Sequence, residues 1–527
     1  MKRIVALCLA LMLLLCGCSD EMDQEAWRLE RMYRDFDLVH FSDMKYQRPN
    51  MAEHSMVLED SCRIAMEEQD PQVVLTAVYT YYDQYDWFQS NYALANIYYS
   101  RNLTDIYWEQ EYNYCSERAA DVDAGLDRLY HVLAQAPTRD ALEAEFFGQG
   151  FFDAYEGESI WDETFTALME EEAGLINRYY DLSAQAVESE ALDWEPRGEL
   201  LAELVRLRQR IAHYVGYDNY NQFAYDFYYY RDYTAEQVKE YLQEIRETLV
   251  PLYVTLDQKL WDAGYASCTE QECFAYLEGC VRNMGGTVKT AFEMLDRYDL
   301  YDITYSEQKF DASFEIYLNY YCAPFVFMNP MGVQLDKLTL VHEFGHFAND
   351  YACVGSYAGI DVAEVYSQAL EYLSLLYGPD GDALTQYKLA ESLCVYVEQA
   401  AYADFEHRLY EMAPSQVNAR SILDLFRQVG TEYGFDTWAF DPRVFVQITH
   451  FYTNPQYVIS YVVSNDAALQ IYEKELEEAG TGLRLYQRSL DSQETWFLMF
   501  LEEQGLQSPF VPGRVADIYE MLKEYVK

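Results

Sequence analysis

His342 and His346 stand four residues apart in the run Val341-His342-Glu343-Phe344-Gly345-His346, the pattern H-E-x-x-H. No other feature constrains the fold as tightly. On a helix, positions i and i+4 lie one turn apart on one face, so both imidazoles reach a single ion. On a strand the same pair would be about 13 Å apart. Zinc accepts imidazole nitrogens at about 2.0–2.1 Å. Glu343 is offset from the histidine face, where it can take a proton from water as a general base. A third protein ligand is needed if one position is to stay open, so a second helix must pack against the first. The segment Ala363-Glu364-Val365-Tyr366-Ser367-Gln368-Ala369-Leu370-Glu371 supplies Glu364. Glu371, two turns further along the same face, can hydrogen-bond a ligand imidazole from behind. The set predicts one Zn2+ per chain.

The rest of the chain is patterned mainly for helices. Apolar positions recur at i, i+3 and i+4 over 107–135, 160–187, 197–215 and 383–410. Thr234-Ala235-Glu236-Gln237 is a capping-box start for a helix expected to run to about Gly264, kinked or split at Pro251. Residues 299–329 alternate apolar and polar side chains and predict a small β-sheet ending in the strand Ala323–Asn329. That strand is either an edge strand able to pair with a peptide backbone or an ordinary core strand. Asn329-Pro330-Met331-Gly332 then turns the chain into the histidine helix.

Charge narrows the partners. Asp and Glu number 89 against 37 Lys and Arg, for a net charge of -52. Nucleic acid needs a positive footprint and is excluded as a ligand. An acidic field favours neutral or basic peptides. The 51 Tyr and 27 Phe exclude a disordered acidic tail.

The N-terminus reads as an address. Lys2 and Arg3 precede the apolar run Ile4–Leu15, which is too short to cross a bilayer and fits a signal peptide. Leu15-Cys16-Gly17-Cys18 resembles a bacterial lipobox, so Cys18 is expected to be lipidated and to anchor the protein at the extracytoplasmic face of the cell membrane. No later stretch is apolar enough to span a membrane. Cys268, Cys273 and Cys280 match no paired-thiolate zinc spacing; a local disulfide or buried thiols are the two readings left.

His342–His346 followed by Glu364-Val365-Tyr366-Ser367 and Glu371 resembles the thimet oligopeptidase and oligoendopeptidase F family of zinc metallopeptidases. Arg208-Gln209-Arg210-Ile211-Ala212-His213-Tyr214-Val215-Gly216-Tyr217-Asp218-Asn219-Tyr220 and the downstream His450-Phe451-Tyr452, Tyr457 and Tyr461 are similar to two further stretches of that family. The likeness covers roughly 195–470. It implies a mainly α, two-lobed helical metallopeptidase with a deep central channel and a small β-sheet beside the zinc-binding helix. It also implies peptidase action on short unfolded peptides, and roles for His450, Tyr457 and Tyr461 in binding substrate and the oxyanion. Tyr457 and Tyr461 would share one helical face. Many members carry a further His where this chain has Asn349, and the interval containing Pro455 is one residue longer than expected.

The resulting expectation has a signal peptide at 1–17, a lipidated tether at 18–30, an N-terminal helical lobe at 31–195 and a catalytic lobe at 196–527, in a monomer. Endo- and exopeptidase action both remain open. The rival reading is a peptide-binding lipoprotein, either a pseudoenzyme or an uptake component, that does not cleave.

Overall fold

The computed structural model describes residues 39–157, 159–189, 194–257, 264–353, 358–379, 382–437 and 440–526. The signal peptide, the lipobox and Cys18 lie outside the described residues.

Helices dominate. Among the described residues the first three long ones, Met51–Glu67, Pro71–Arg101 and Ile106–Ala134, pack on one another around Leu58, Val74, Val78, Tyr81, Leu129 and Leu133. Each starts on a side-chain cap: Asn50 on the Glu53 N–H, Asp70 on Gln72, and Asp105 on Tyr107 and Trp108. Next come Glu163–Ser189 and Trp194–Tyr214, which pack together. The main hydrophobic core runs through the whole remaining chain and also takes in Leu94, Ile97 and Phe165 from the N-terminal part.

The capping box at Thr234 and Gln237 forms, but the helix it opens ends at Thr248. A separate turn, Val250–Tyr253, follows, with Pro251 in its first positions. Proline has no N–H to continue the ladder, so the expected helix to Gly264 is cut short. The predicted helix over 383–410 is present as Asp382–Cys394 and Ala400–Glu411, joined by a π-helical turn at Val395–Gln399.

The sheet has three strands: β1 Tyr301–Asp302, β2 Ser313–Leu318 and β3 Ala323–Met328, in the order β1-β3-β2. β3 pairs parallel to β1 and antiparallel to β2, with Glu315 opposite Val326. Every residue of β3 is buried. The strand before the histidine helix is therefore central, and the edges belong to β1 and β2. An unbroken apolar run such as Ala323–Met328 suits a position covered on both faces.

The turn after β3 is pinned by Asp336. Its carboxylate accepts from the N–H groups of Met331, Gly332 and Val333 at 3.1, 2.7 and 2.9 Å. Gly332 has φ +80°. This fixes the start of the helix Leu335–Ala352, which packs on β3, β2 and the helix Ile360–Tyr377. The latter packs in turn on Ile459–Glu477. No described helix is long and apolar enough to cross a membrane.

Candidate metal centre and active site

The helix Leu335–Ala352 carries His342, Glu343 and His346; the helix Ile360–Tyr377 carries Glu364 and Glu371. Close approach of the two depends on Gly345. A Cβ there would lie 2.5 Å from Ser367 Cα and 2.8 Å from the Tyr366 carbonyl oxygen. With hydrogen alone at this position, Glu364 reaches across. Its Oε2 lies 3.4 Å from His342 Nε2 and 3.7 Å from His346 Nε2. Tetrahedral zinc at about 2.05 Å from each ligand separates its ligand atoms by about 3.3 Å. The donor set of two imidazoles and one carboxylate thus fits zinc in chemistry and in spacing, and the three atoms all lie within 4.8 Å of one another.

The ligands are held from behind. His342 Nδ1 lies 2.9 Å from Glu371 Oε1. An N–H at Nδ1 donating to that carboxylate leaves Nε2 with its lone pair facing the other ligands. The second oxygen of Glu371 accepts from the buried Lys388 Nζ at 2.6 Å, and Lys388 also donates to Glu391 at 2.8 Å. Burial opposes charge on Glu371, but Lys388 and His342 hold its pKa below the ordinary carboxylate value. Glu364 accepts at Oε2 from Ser367 Oγ at 2.9 Å and at Oε1 from the Tyr457 hydroxyl at 2.6 Å.

Burial resists protonation of His342, yet Glu371, Glu364 and Glu343 outweigh it and raise its pKa to about 9. Burial and the neighbouring His342 push His346 well below its ordinary value. Glu343 is raised to about 7, first by burial and then by Glu364 and Glu371; His342 and the backbone N–H of Glu315, which donates to its carboxylate, partly offset this. The edge strand β2 thus touches the carboxylate expected to act as base.

His450, Tyr457 and Tyr461 converge on the same place. His450 Nε2 lies 3.2 Å from the Tyr461 hydroxyl, and the Tyr457 and Tyr461 rings are 5.3 Å apart. Burial keeps both phenols protonated and lowers His450 to about 4. The two tyrosines do not share a helical face. Tyr461 lies in the first turn of Ile459–Glu477, whereas Tyr457 precedes that helix, after Gln456 at φ +68°. Tyr457 is committed to Glu364, and Tyr461 stands beside the ligands with its hydroxyl set by His450.

The segment carrying these groups is anchored by residues whose roles sequence reading missed. Arg208, fully buried, donates to the carbonyls of Phe451 and Tyr452 at 3.0 and 2.5 Å and pairs with Glu172 at 2.6 Å. Tyr229 donates to the Pro455 carbonyl at 2.8 Å. Gln456 donates from its backbone to Glu406 at 3.1 Å and from its side chain to Asn221 at 3.1 Å. The upstream run around Arg208 thus serves the site indirectly, by positioning the loop that bears His450 and Tyr457.

Cys268 and Cys273 meet as buried thiols with their sulfurs 3.4 Å apart, and Cys280 is a buried thiol as well. Asn349 is buried at 2% exposure and takes no part in the ligand set.

His342, Glu343, His346, Glu364, His450, Tyr457 and Tyr461 line one cavity of about 710 Å³, together with Asn349 and with Ser313, Phe314 and Glu315 of β2. Residues 41–158 match the family described as Peptidase M3 N-terminal domain, and residues 299–493 match Peptidase family M3; together they take in more than half of the chain. Among solved structures, the chain is similar in fold to a protein described as oligoendopeptidase F (19% identity, 93% of this chain and 98% of that one, TM-score 0.82). It is also similar to PZ peptidase A with an inhibitor (18% identity, 92% and 99%, TM-score 0.81). A third, described as oligoendopeptidase F from Bacillus anthracis strain Ames, aligns at 19% identity over 93% and 98% with a TM-score of 0.77. No curated protein sequence matches the chain.

Proposed function

The chain belongs to peptidase family M3, the zinc metalloendopeptidases, and from that premise we propose that it cleaves short unfolded peptides outside the cell while a lipid on Cys18 holds it to the membrane. One observation carries the reading: the ligand set, Glu343 and the hydroxyl of Tyr461 face a single cavity along an edge strand. A cavity of about 710 Å³ admits a few residues of extended chain and no folded domain.

His342, His346 and Glu364 would hold the zinc, which when bound supplies Lewis acidity to polarise a carbonyl and to acidify water. The remaining work belongs to the chain. The outward face of β2 aligns an extended peptide by backbone pairing, giving affinity with little sequence demand. Glu343 takes the proton of the attacking water on its carboxylate and passes it to the leaving amine. Tyr461 donates its O–H to the carbonyl oxygen as negative charge develops, with His450 fixing the direction of that bond. Tyr457 and Ser367 keep Glu364 in place. With the ligand set complete and a base beside it, no observation favours peptide capture without cleavage.

Two experiments test the finer claims. A soluble form lacking residues 1–18 and loaded with zinc should cut quenched peptides of roughly ten residues and leave a folded domain bearing the same sequence intact. In cells, the full chain should incorporate labelled fatty acid and sediment with membranes, and Cys18→Ser should do neither. Cleavage of the folded domain would remove the enclosed-cavity argument. A lipid-free Cys18 in membrane-bound protein would remove the anchor.

A further inference from the structure

One corner of the cavity holds groups that peptide hydrolysis does not use. Asp350 lies one turn beyond His346 on the histidine helix, so His342, His346 and Asp350 form one row at i, i+4 and i+8. Glu315 projects from the edge strand β2, and the two carboxyls share a hydrogen bond, which requires one proton between them. Glu315 Oε1 is buried without a partner. Beside them Asn349, only 2% exposed, lines the same cavity with its Nδ2 donor also lacking a partner. Native proteins seldom leave buried donors and acceptors unmet, and a pair of such orphans in a binding cavity points to a missing ligand.

The side chains lining the cavity say which ligand. The carboxyls lining the cavity are Glu315, Glu343, Asp350 and Glu364. Glu364 belongs to the ligand set and Glu343 is the base beside it, so Glu315 and Asp350 are the carboxyls of this lining that hydrolysis itself does not use. Glu371 is already paired with Lys388. Among the described residues that line the cavity, none is Lys or Arg. The missing cation must come from the substrate.

Resting on the peptidase reading above, we propose that Asp350 and Glu315 form a subsite for the side-chain cation of a Lys or Arg residue in the peptide, with Asn349 Nδ2 taking a substrate carbonyl. The four residues from His346 to Asp350 rise about 6 Å along the helix and an extended peptide advances about 3.3 Å per residue, which places the basic residue within about two positions of the cleaved bond. Asp350, partly exposed to the cavity, meets the cation, and Glu315 backs it from the strand.

The test uses the zinc-loaded enzyme and internally quenched peptides that differ only in arginine or citrulline, its neutral near-isostere, scanned over three positions on each side of the bond. At one position the arginine peptide should have a kcat/KM about tenfold higher, chiefly through KM. Asp350→Asn should bring that ratio to about one while the citrulline peptide is cut within about twofold of the parent rate. Asp350→Lys should shift the preference to glutamate at the same position. Equal rates for arginine and citrulline at every position, or an undiminished preference in Asp350→Asn, would overturn the subsite. Failure of the parent enzyme to cut any peptide would contradict the peptidase reading instead. In that case, anisotropy titration of the zinc-loaded Glu343→Gln protein with the same peptides decides the subsite: tighter binding of arginine that Asp350→Asn abolishes supports it, and equal binding overturns it.

Discussion

Gly345 lies against the backbone of Ser367, so closely that a Cβ at 345 would sit 2.5 Å from Ser367 Cα. That contact sets the spacing of the two ligand-bearing helices, and backbone atoms cannot move aside as a flexible side chain would. Gly345→Ala should therefore push the helices apart, destabilise the protein by about 1–3 kcal/mol and weaken zinc binding, since Glu364 comes from the far helix. Thermal unfolding with and without zinc checks both effects; the zinc-induced rise in midpoint should shrink in the variant.

Lys388 should matter to the metal without touching it. It holds Glu371, and Glu371 holds His342. Lys388→Met leaves a buried carboxylate with one partner fewer and frees the imidazole to turn. Zinc affinity, measured by competition with a chromogenic chelator, should fall about 10–100-fold. An unchanged affinity would show that the relay does not orient the ligand.

The two tyrosines should separate by phenotype. Tyr461→Phe removes a hydroxyl that no ligand uses, so kcat should fall about 10²–10³-fold while zinc content stays at one per chain. Tyr457→Phe removes the donor on Glu364 Oε1, so its first effect should be weaker zinc binding. Steady-state kinetics at saturating zinc, beside a zinc titration, distinguish them.

Much of this site could be read from local spacing, because His342 and His346 are one helical turn apart, with Glu343 next to the first, and Glu364 and Glu371 are two turns apart. Helical geometry converts those intervals directly into shared faces. What escaped involves contacts between elements. Lys388, Arg208, Glu315 and Asp350 act across helix–helix or helix–strand packing, and nothing within their own segments records the partner. The placement of Tyr457 turned on one residue, Gln456, whose left-handed backbone ends one segment before the next helix begins. The order β1-β3-β2 was likewise not encoded in β3 alone, although its unbroken apolar run was a sign of a strand covered on both faces.

Stability should depend on pH through Glu406. It is 1% exposed, one of its oxygens has no partner, and burial raises its pKa to about 8, against 4.5 without the fold. Between those values the folded state keeps a proton that the unfolded state has lost. Stability from this group is thus complete below about pH 4.5 and declines as pH rises toward 8, by up to about 1.4 kcal/mol per pH unit. Denaturant unfolding from pH 5 to 8 should show this slope in the parent and a flatter one in Glu406→Gln. Asp123, raised to about 6 by burial, contributes a smaller slope of the same sign that both proteins share.

The central claim is that a zinc site and one carboxylate make this cavity a peptidase. Glu343→Gln tests it most directly, because the change is nearly isosteric and spares all three ligands. The account predicts a protein that binds one zinc per chain yet cleaves a quenched peptide about 10²–10⁴-fold more slowly than the parent, while the parent loses activity to a chelator and regains it with zinc. A fully zinc-loaded Glu343→Gln enzyme that cuts as fast as the parent would contradict it.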